Sequence, residues 1–227
     1  MKTLFGHFLS SFLLLCLAAG AFQTPANASS IVVWDNGLPD YNNGRVNDSR
    51  YPVYLNHADD FTLTANETIT GLSWLGAYKD GNNLPDGDDN FRVQFFQIVS
   101  GTPSITPVVD LVIGNATRTA TGNTIPFAYP VYSYAATLPG TPLALGNYLL
   151  AIRNEARPDN DRWMWATRDS GGNGYYQMLG AGTPWQHYTS TNFAFTISAE
   201  AATPEPGVMG LLMVGCGFLW ARRHHAI

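Results

Sequence analysis

Thr68-Ile69-Thr70-Gly71-Leu72-Ser73-Trp74-Leu75-Gly76-Ala77-Tyr78-Lys79 carries the pattern that decides the fold. Ile69, Gly71, Ser73, Leu75 and Ala77 alternate with Thr70, Leu72, Trp74, Gly76 and Tyr78. Successive side chains leave a pleated backbone on opposite faces, so a period of two marks a strand. The same reading extends along the chain. Short β-branched and aromatic runs, divided by Gly, Pro, Asn and Asp, fall at residues 31–34, 58–64, 91–99, 108–113, 131–138, 148–153, 162–167, 175–179 and 192–198. Within them Phe61 and Leu63 share one face, as do Phe91, Val93, Phe95 and Gln97. No long 3.6-residue periodicity competes with this pattern. Nine or ten closely spaced strands predict an all-β, antiparallel two-sheet β-sandwich of jelly-roll type, with a closed barrel as the alternative.

Composition agrees. Of 227 residues only 13% are charged, against roughly 25% in an average soluble domain. Aromatics make 13%, and the chain holds 22 Gly and 14 Pro. Low charge with many aromatics is the reverse of a disordered chain. A formal charge of −5 argues against nucleic acid as a partner. Residues 29–203 hold 9 basic and 16 acidic residues, a balance of −7. Both cysteines, Cys16 and Cys216, fall in apolar terminal segments, so the β-domain has none. An exported domain without disulfides depends on its core, and about 170 residues are enough to build one.

The ends read differently. Residues 1–28 have the form of a secretory signal peptide: Lys2, an apolar stretch over 8–22, and the small-x-small site Ala26-Asn27-Ala28. The β-domain is expected over 29–198, followed by a linker over 199–203. Then come Pro204-Glu205-Pro206, an uncharged stretch over 207–221, and Arg222-Arg223-His224-His225. As a helix those 15 residues span about 22 Å at ~1.5 Å each, short of a ~30 Å hydrocarbon core. Trp220 and the arginines suit the cytoplasmic interface. The expectation is a single marginal transmembrane helix that anchors the chain transiently, the alternative being a permanent anchor. Proline on both sides of Glu205 keeps that segment extended, as a processing enzyme needs.

Pro204-Glu205-Pro206, the short Gly- and Leu-rich stretch and the terminal arginines together resemble a PEP-CTERM sorting signal. The resemblance implies exosortase as a partner, a membrane cysteine protease-transpeptidase of Gram-negative bacteria that removes the tail. It places the protein transiently at the inner membrane, then at the outer surface or outside the cell. Ala58-Asp59-Asp60-Phe61, the run 69–78, Gly146-Asn147-Tyr148-Leu149-Leu150-Ala151-Ile152, Trp163-Met164-Trp165 and Phe193-Ala194-Phe195-Thr196-Ile197 resemble the ectodomain pattern of PEP-CTERM and related surface proteins. That pattern implies an extracellular sandwich and no particular activity.

Candidate chemistry is sparse. Asp80, Asp86, Asp88 and Asp89 offer hard oxygen ligands for Ca²⁺, although EF-hand spacing is missing and a polar hairpin loop explains the same residues. Asp59-Asp60 is a second acidic pair, in which Asp60, opposite Phe61, reads as a hydrogen-bond anchor for a neighbouring loop. Trp163, Trp165, Tyr175, Tyr176, Trp185 and Tyr188 crowd together among acids and arginines. They make either a glycan-binding platform or core packing, and Trp163 and Trp165 share one face. His57, Asp110 and Ser170 have the chain order of a protease triad, but Arg168 stands where Gly is usual and no Gly-x-Ser-x-Gly elbow occurs. His57 and His187 lack metal-ligand spacing. No catalytic constellation emerges. The expectation is a structural or adhesive surface protein associated with exopolysaccharide or biofilm, the alternatives being a carbohydrate-binding module or a secreted hydrolase.

Overall fold

The computed structural model describes residues 29–47, 55–79, 89–155, 162–168, 172, 174–178 and 183–201. The signal-peptide and sorting-signal segments, including Pro204, Glu205, Pro206, Arg222 and Arg223, lie outside the described residues. Among the described residues no helix is long and apolar enough to cross a membrane. Residues Ser30–Ala201 form one compact unit.

Among the described residues of that unit fifteen strands follow one another. They are β1 (Ser30–Asp35), β2 (Gly44–Val46), β3 (Leu55–Leu63), β4 (Glu67–Tyr78), β5 (Phe91–Val99), β6 (Thr102–Pro103), β7 (Val109–Gly114) and β8 (Thr117–Ile125). After a 3₁₀ turn at Pro126–Ala128 come β9 (Tyr129–Leu143), β10 (Gly146–Asn154), β11 (Trp163–Arg168), β12 (Tyr175–Met178), β13 (Gln186–His187), β14 (Asn192–Phe193) and β15 (Phe195–Glu200). All pairings are antiparallel, and they are nested: β2 with β11, β3 with β10, β4 with β9, β5 with β7. A long hairpin rolled on itself pairs in this way. It yields two sheets, β2-β11-β4-β9 and β3-β10-β5-β7. The first is extended by β8 beside β9 and by β15 and β1 beside β4; the second is extended by β12 and β13 beside β3. At Ala194 the chain wedges between β4 and β11, accepting a bond from Leu75 N and donating to Ala166 O.

Every expected run lies on a strand, but the predicted alternation of β4 slips once. Ile69 shares the inner core with Leu72, Trp74 and Tyr78 rather than facing away from them. The register against β9 shifts between Ile69 and Gly71, the mark of a β-bulge that turns one residue to the other face. β8 was not predicted: its Thr-rich, mostly exposed sequence has no apolar alternation, because it is an edge strand.

The core between the sheets is aromatic. Phe91 of the second sheet meets Trp74, Tyr134 and Trp163 of the first edge-on, at 5.0, 5.1 and 5.2 Å between ring centres. Gly76 makes room for this group, since a Cβ there would lie 2.6 Å from the Trp163 indole nitrogen. At Gly71, on the same strand, the nearest atom to a Cβ is 3.4 Å away, an ordinary contact. Gly76→Ala is therefore expected to destabilise the domain by about 2–3 kcal/mol, as overpacked cores do, while Gly71→Ala is nearly neutral. Urea denaturation of both variants checks this; equal midpoints would remove the role given to Gly76.

Candidate functional site

The aromatic group read as either a glycan platform or core packing is divided among three places. Trp163 and Trp165 are fully buried in the inner core. This corrects the platform reading for both: they share a face, and it is the face packed against the other sheet, where Trp165 stacks on Phe193 at 4.6 Å. Tyr175 and Trp185 lie on the outer face of the second sheet. Tyr176, the next residue along β12, turns the other way and packs on Tyr188 at 4.7 Å.

The outer face of the second sheet is the candidate site. Ala58, Phe96, Leu149 and Ala151 project outward as an apolar patch. Trp185 covers it, edge-on to Phe96 at 4.9 Å, with its indole N–H donating to Ser104 O at 3.0 Å. Trp185 is itself 8% exposed. Tyr175 packs beside this patch and meets His187 at 5.0 Å. Next to the patch runs a polar ladder across the strands. Asn56 donates to Gln94, Gln94 donates to Asp110, and Arg92 grips both oxygens of Asp110 at 2.6 and 2.7 Å. The Arg92 guanidinium holds the Asp110 carboxyl below the usual carboxylate range. Arg92 and Arg153 also pair with Glu155. An apolar, ring-bearing surface beside ordered amide and guanidinium groups can take the C–H face of a sugar on one side and its hydroxyls on the other. The ladder was missed in the sequence, yet Arg92 and Gln94 alternate with Phe91 and Val93, and that outward row was its signal.

Of the four candidate calcium ligands only Asp89 is among the described residues. Asp80, Asp86 and Asp88 lie outside them. Asp89 is 5% exposed and serves as an internal acceptor, taking bonds from Tyr78 Oη and Asn154 Nδ2 with Arg118 nearby at 3.9 Å. This corrects its reading as an open-loop ligand: the carboxylate faces the sandwich interior and is already coordinated by protein donors. No group of three His, Cys, Asp or Glu side chains converges among the described residues. Asp110 is held by Arg92 and His57 bonds elsewhere, so the first two members of the protease-like order do not meet; Ser170 lies outside the described residues.

Asp59 is the anchor in the acidic pair. It is fully buried, and its Oδ2 accepts from Asn36 Nδ2 and from Phe193 N, both at 2.6 Å. It thereby ties β3 to the chain after β1 and to β14. Burial pushes its carboxyl up to about 8. Two residues away, His57 Nδ1 and Tyr188 Oη share a hydrogen bond of 3.2 Å, and Arg45 lies over the Tyr188 ring. Burial, then the Arg45 charge, pushes the imidazole down to about 4 from 6.5.

Comparison of the chain with protein-family models, with curated proteins and with solved structures finds no match.

The two shifts oppose each other. Neutral His57 gives stability that is present above pH 6.5 and lost as pH falls toward 4. Asp59, raised from 3.8, gives stability that is present at low pH and lost as pH rises through 8. Stability of the parent is expected to vary little between pH 4 and 6.5 and to fall from 6.5 to 8. His57→Gln should fall across the whole range from 4 to 8. Urea midpoints measured across this range decide it, and identical pH profiles for parent and variant would refute the opposition.

Proposed function

We propose that the protein is an exported surface or extracellular-matrix protein, processed by an exosortase, with a structural or adhesive role among exopolysaccharide. The observation that carries this reading is the sequence of the two ends: a signal-peptide pattern over 1–28, and Pro204-Glu205-Pro206 followed by an uncharged stretch and Arg222-Arg223. The fold is compatible with it. The nested pairing is read here as a jelly roll, a scaffold that holds together through its core alone. Ser30 of β1 pairs with Glu200 of β15, so the strands nearest the two signals lie side by side. In this reading the uncharged stretch over 207–221 serves as a brief inner-membrane stop, and removal of the tail frees the domain to the outside.

Sorting is tested by fractionation. The parent is expected at the cell surface or in the medium, and Pro204→Ala with Glu205→Ala is expected to accumulate in the inner membrane. The same distribution for both would overturn processing.

A second reading is favoured by one arrangement: Tyr175 and the covered Trp185 patch beside the Asn56–Gln94–Asp110–Arg92 ladder. Here the protein binds carbohydrate through the outer face of its second sheet, without a catalytic group. Affinity electrophoresis in polysaccharide gels distinguishes it from a passive role. Retardation should drop in Tyr175→Ala and Gln94→Ala and persist in Tyr176→Ala, which lies on the opposite side of β12. Retardation lost equally in all three, or absent in the parent, would count against this site.

A further inference from the structure

The outer face of the first sheet has its own covered patch, unrelated to the glycan face. Ala77, Val131 and Met164 point outward there, and Ile125 at the end of β8 folds over them. Gly44 permits the approach, since a Cβ on it would lie 3.1 Å from Met164 Cβ and 3.4 Å from Ile125 Cδ1. Beside this patch a cavity of about 220 Å³ remains, walled by Val46, Ile125, Met164, Phe127 and Tyr129, with Asn43 and Lys79 as its polar side chains. The wall is aromatic and aliphatic, Phe127 and Tyr129 standing 5.9 Å apart at 41°. Lys79 is the one lysine in residues 29–203.

Phe127 is held against its own preferences. It is 87% exposed. Phe127 and Ala128 both have left-handed backbone, φ +70° and +60°. Side chains with a Cβ pay for that conformation at each position, and here the outcome is to hold an aromatic ring in solvent at the mouth of a cavity. A turn that served only to join β8 to β9 would gain by placing Gly in these positions and by turning the ring inward. Outliers of this kind concentrate at ligand sites.

We propose that this cavity binds a small aromatic carboxylate: the ring lies between Phe127, Tyr129 and Met164, and the carboxylate pairs with Lys79. Offset or edge-on rings and a thioether are favourable neighbours for an aromatic ring. The cavity is smaller than the ~300–1,000 Å³ of sites that enclose drug-sized ligands, which suits one ring with one charged substituent. A sugar would need several hydrogen-bonding groups around it, whereas six of the nine lining residues (Val46, Ile125, Pro126, Phe127, Tyr129 and Met164) are apolar or aromatic and only Asn43 and Lys79 add an amide and a charge.

Saturation-transfer NMR and titration of the purified full chain test the proposal, with benzoate, benzyl alcohol, benzylamine and glucuronate as probes. Benzoate is expected to bind, benzyl alcohol to bind about tenfold more weakly, as for loss of one charged hydrogen bond, and benzylamine and glucuronate not to bind. Lys79→Gln should reduce benzoate to the level of benzyl alcohol. Val46→Phe, which fills the cavity from an edge strand, should abolish both, with circular dichroism confirming that each variant is folded. Equal binding of benzoate and benzylamine, benzoate binding unchanged in folded Lys79→Gln, preference for glucuronate, or no binding of any probe would overturn it. Should Val46→Phe not fold, Phe127→Ser, which removes an exposed wall, is the replacement, and undiminished benzoate binding in it would equally overturn the site.

Discussion

Phe91 joins the two sheets. Its ring stands edge-on to Trp74, Tyr134 and Trp163, three aromatic residues of the opposing sheet, and all four are fully buried. Such pairs contribute roughly 0.5–1.5 kcal/mol each beyond the area they bury. In a domain whose sequence between the terminal segments contains no cysteine, no covalent link shares this task. The group exists because Gly76 leaves a hollow under the Trp163 indole. Placement of Trp163 in turn fixes β11, which pairs with both β4 and β2 and so closes the outermost turn of the rolled hairpin. A single missing Cβ on β4 thus bears on the whole topology.

Both sheets also carry apolar residues on their outer faces, and each uses a returning segment to cover them. Trp185 covers the second sheet and Ile125 the first. A sheet with one solvated face is the commoner arrangement. Here the covering segments leave shaped surface behind: a polar ladder beside Trp185, and a cavity beside the turn that carries Phe127. The inner core supplies rigidity, and the outer faces supply the groups that can meet a ligand. The buried pair His57 and Asp59 belongs to the first task, tying the sheet edges together from inside.

How far this was legible follows from what a period of two encodes. Alternation in 91–99 told that Phe91, Val93 and Phe95 share a face, and the structure keeps that grouping. It did not tell which face is covered. Trp163 and Trp165 were rightly grouped and assigned to both a platform and a core, because only the topology decides between them. The bulge at Thr70 was invisible, since Ile69-Thr70-Gly71-Leu72 reads as regular alternation until β9 is set beside it. β8 was invisible because an edge strand of threonines needs no apolar face. In the acidic pair the anchor is Asp59: Asp59 shares the inward face of Phe61, two residues on, and Asp60 does not. Trp185 was legible as a member of the aromatic cluster, but its place over Phe96 and its bond to Ser104 were not, since its segment has no periodicity of its own.

The functional reading joins this self-sufficient sandwich to the addresses at its ends. A sparsely charged, Thr- and Asn-rich domain with a balance of −7 and no cysteine suits a hydrated setting outside the cytosol, and in the proposed role the tail supplies a means of release there. Intact-mass spectrometry of the protein recovered from the surface or medium of the producing cell addresses this most directly. The expected species begins at Ser29 and has lost the segment that follows Pro204-Glu205-Pro206. Recovery of the whole 227-residue chain, or of a species that keeps Arg222 and Arg223, would contradict it.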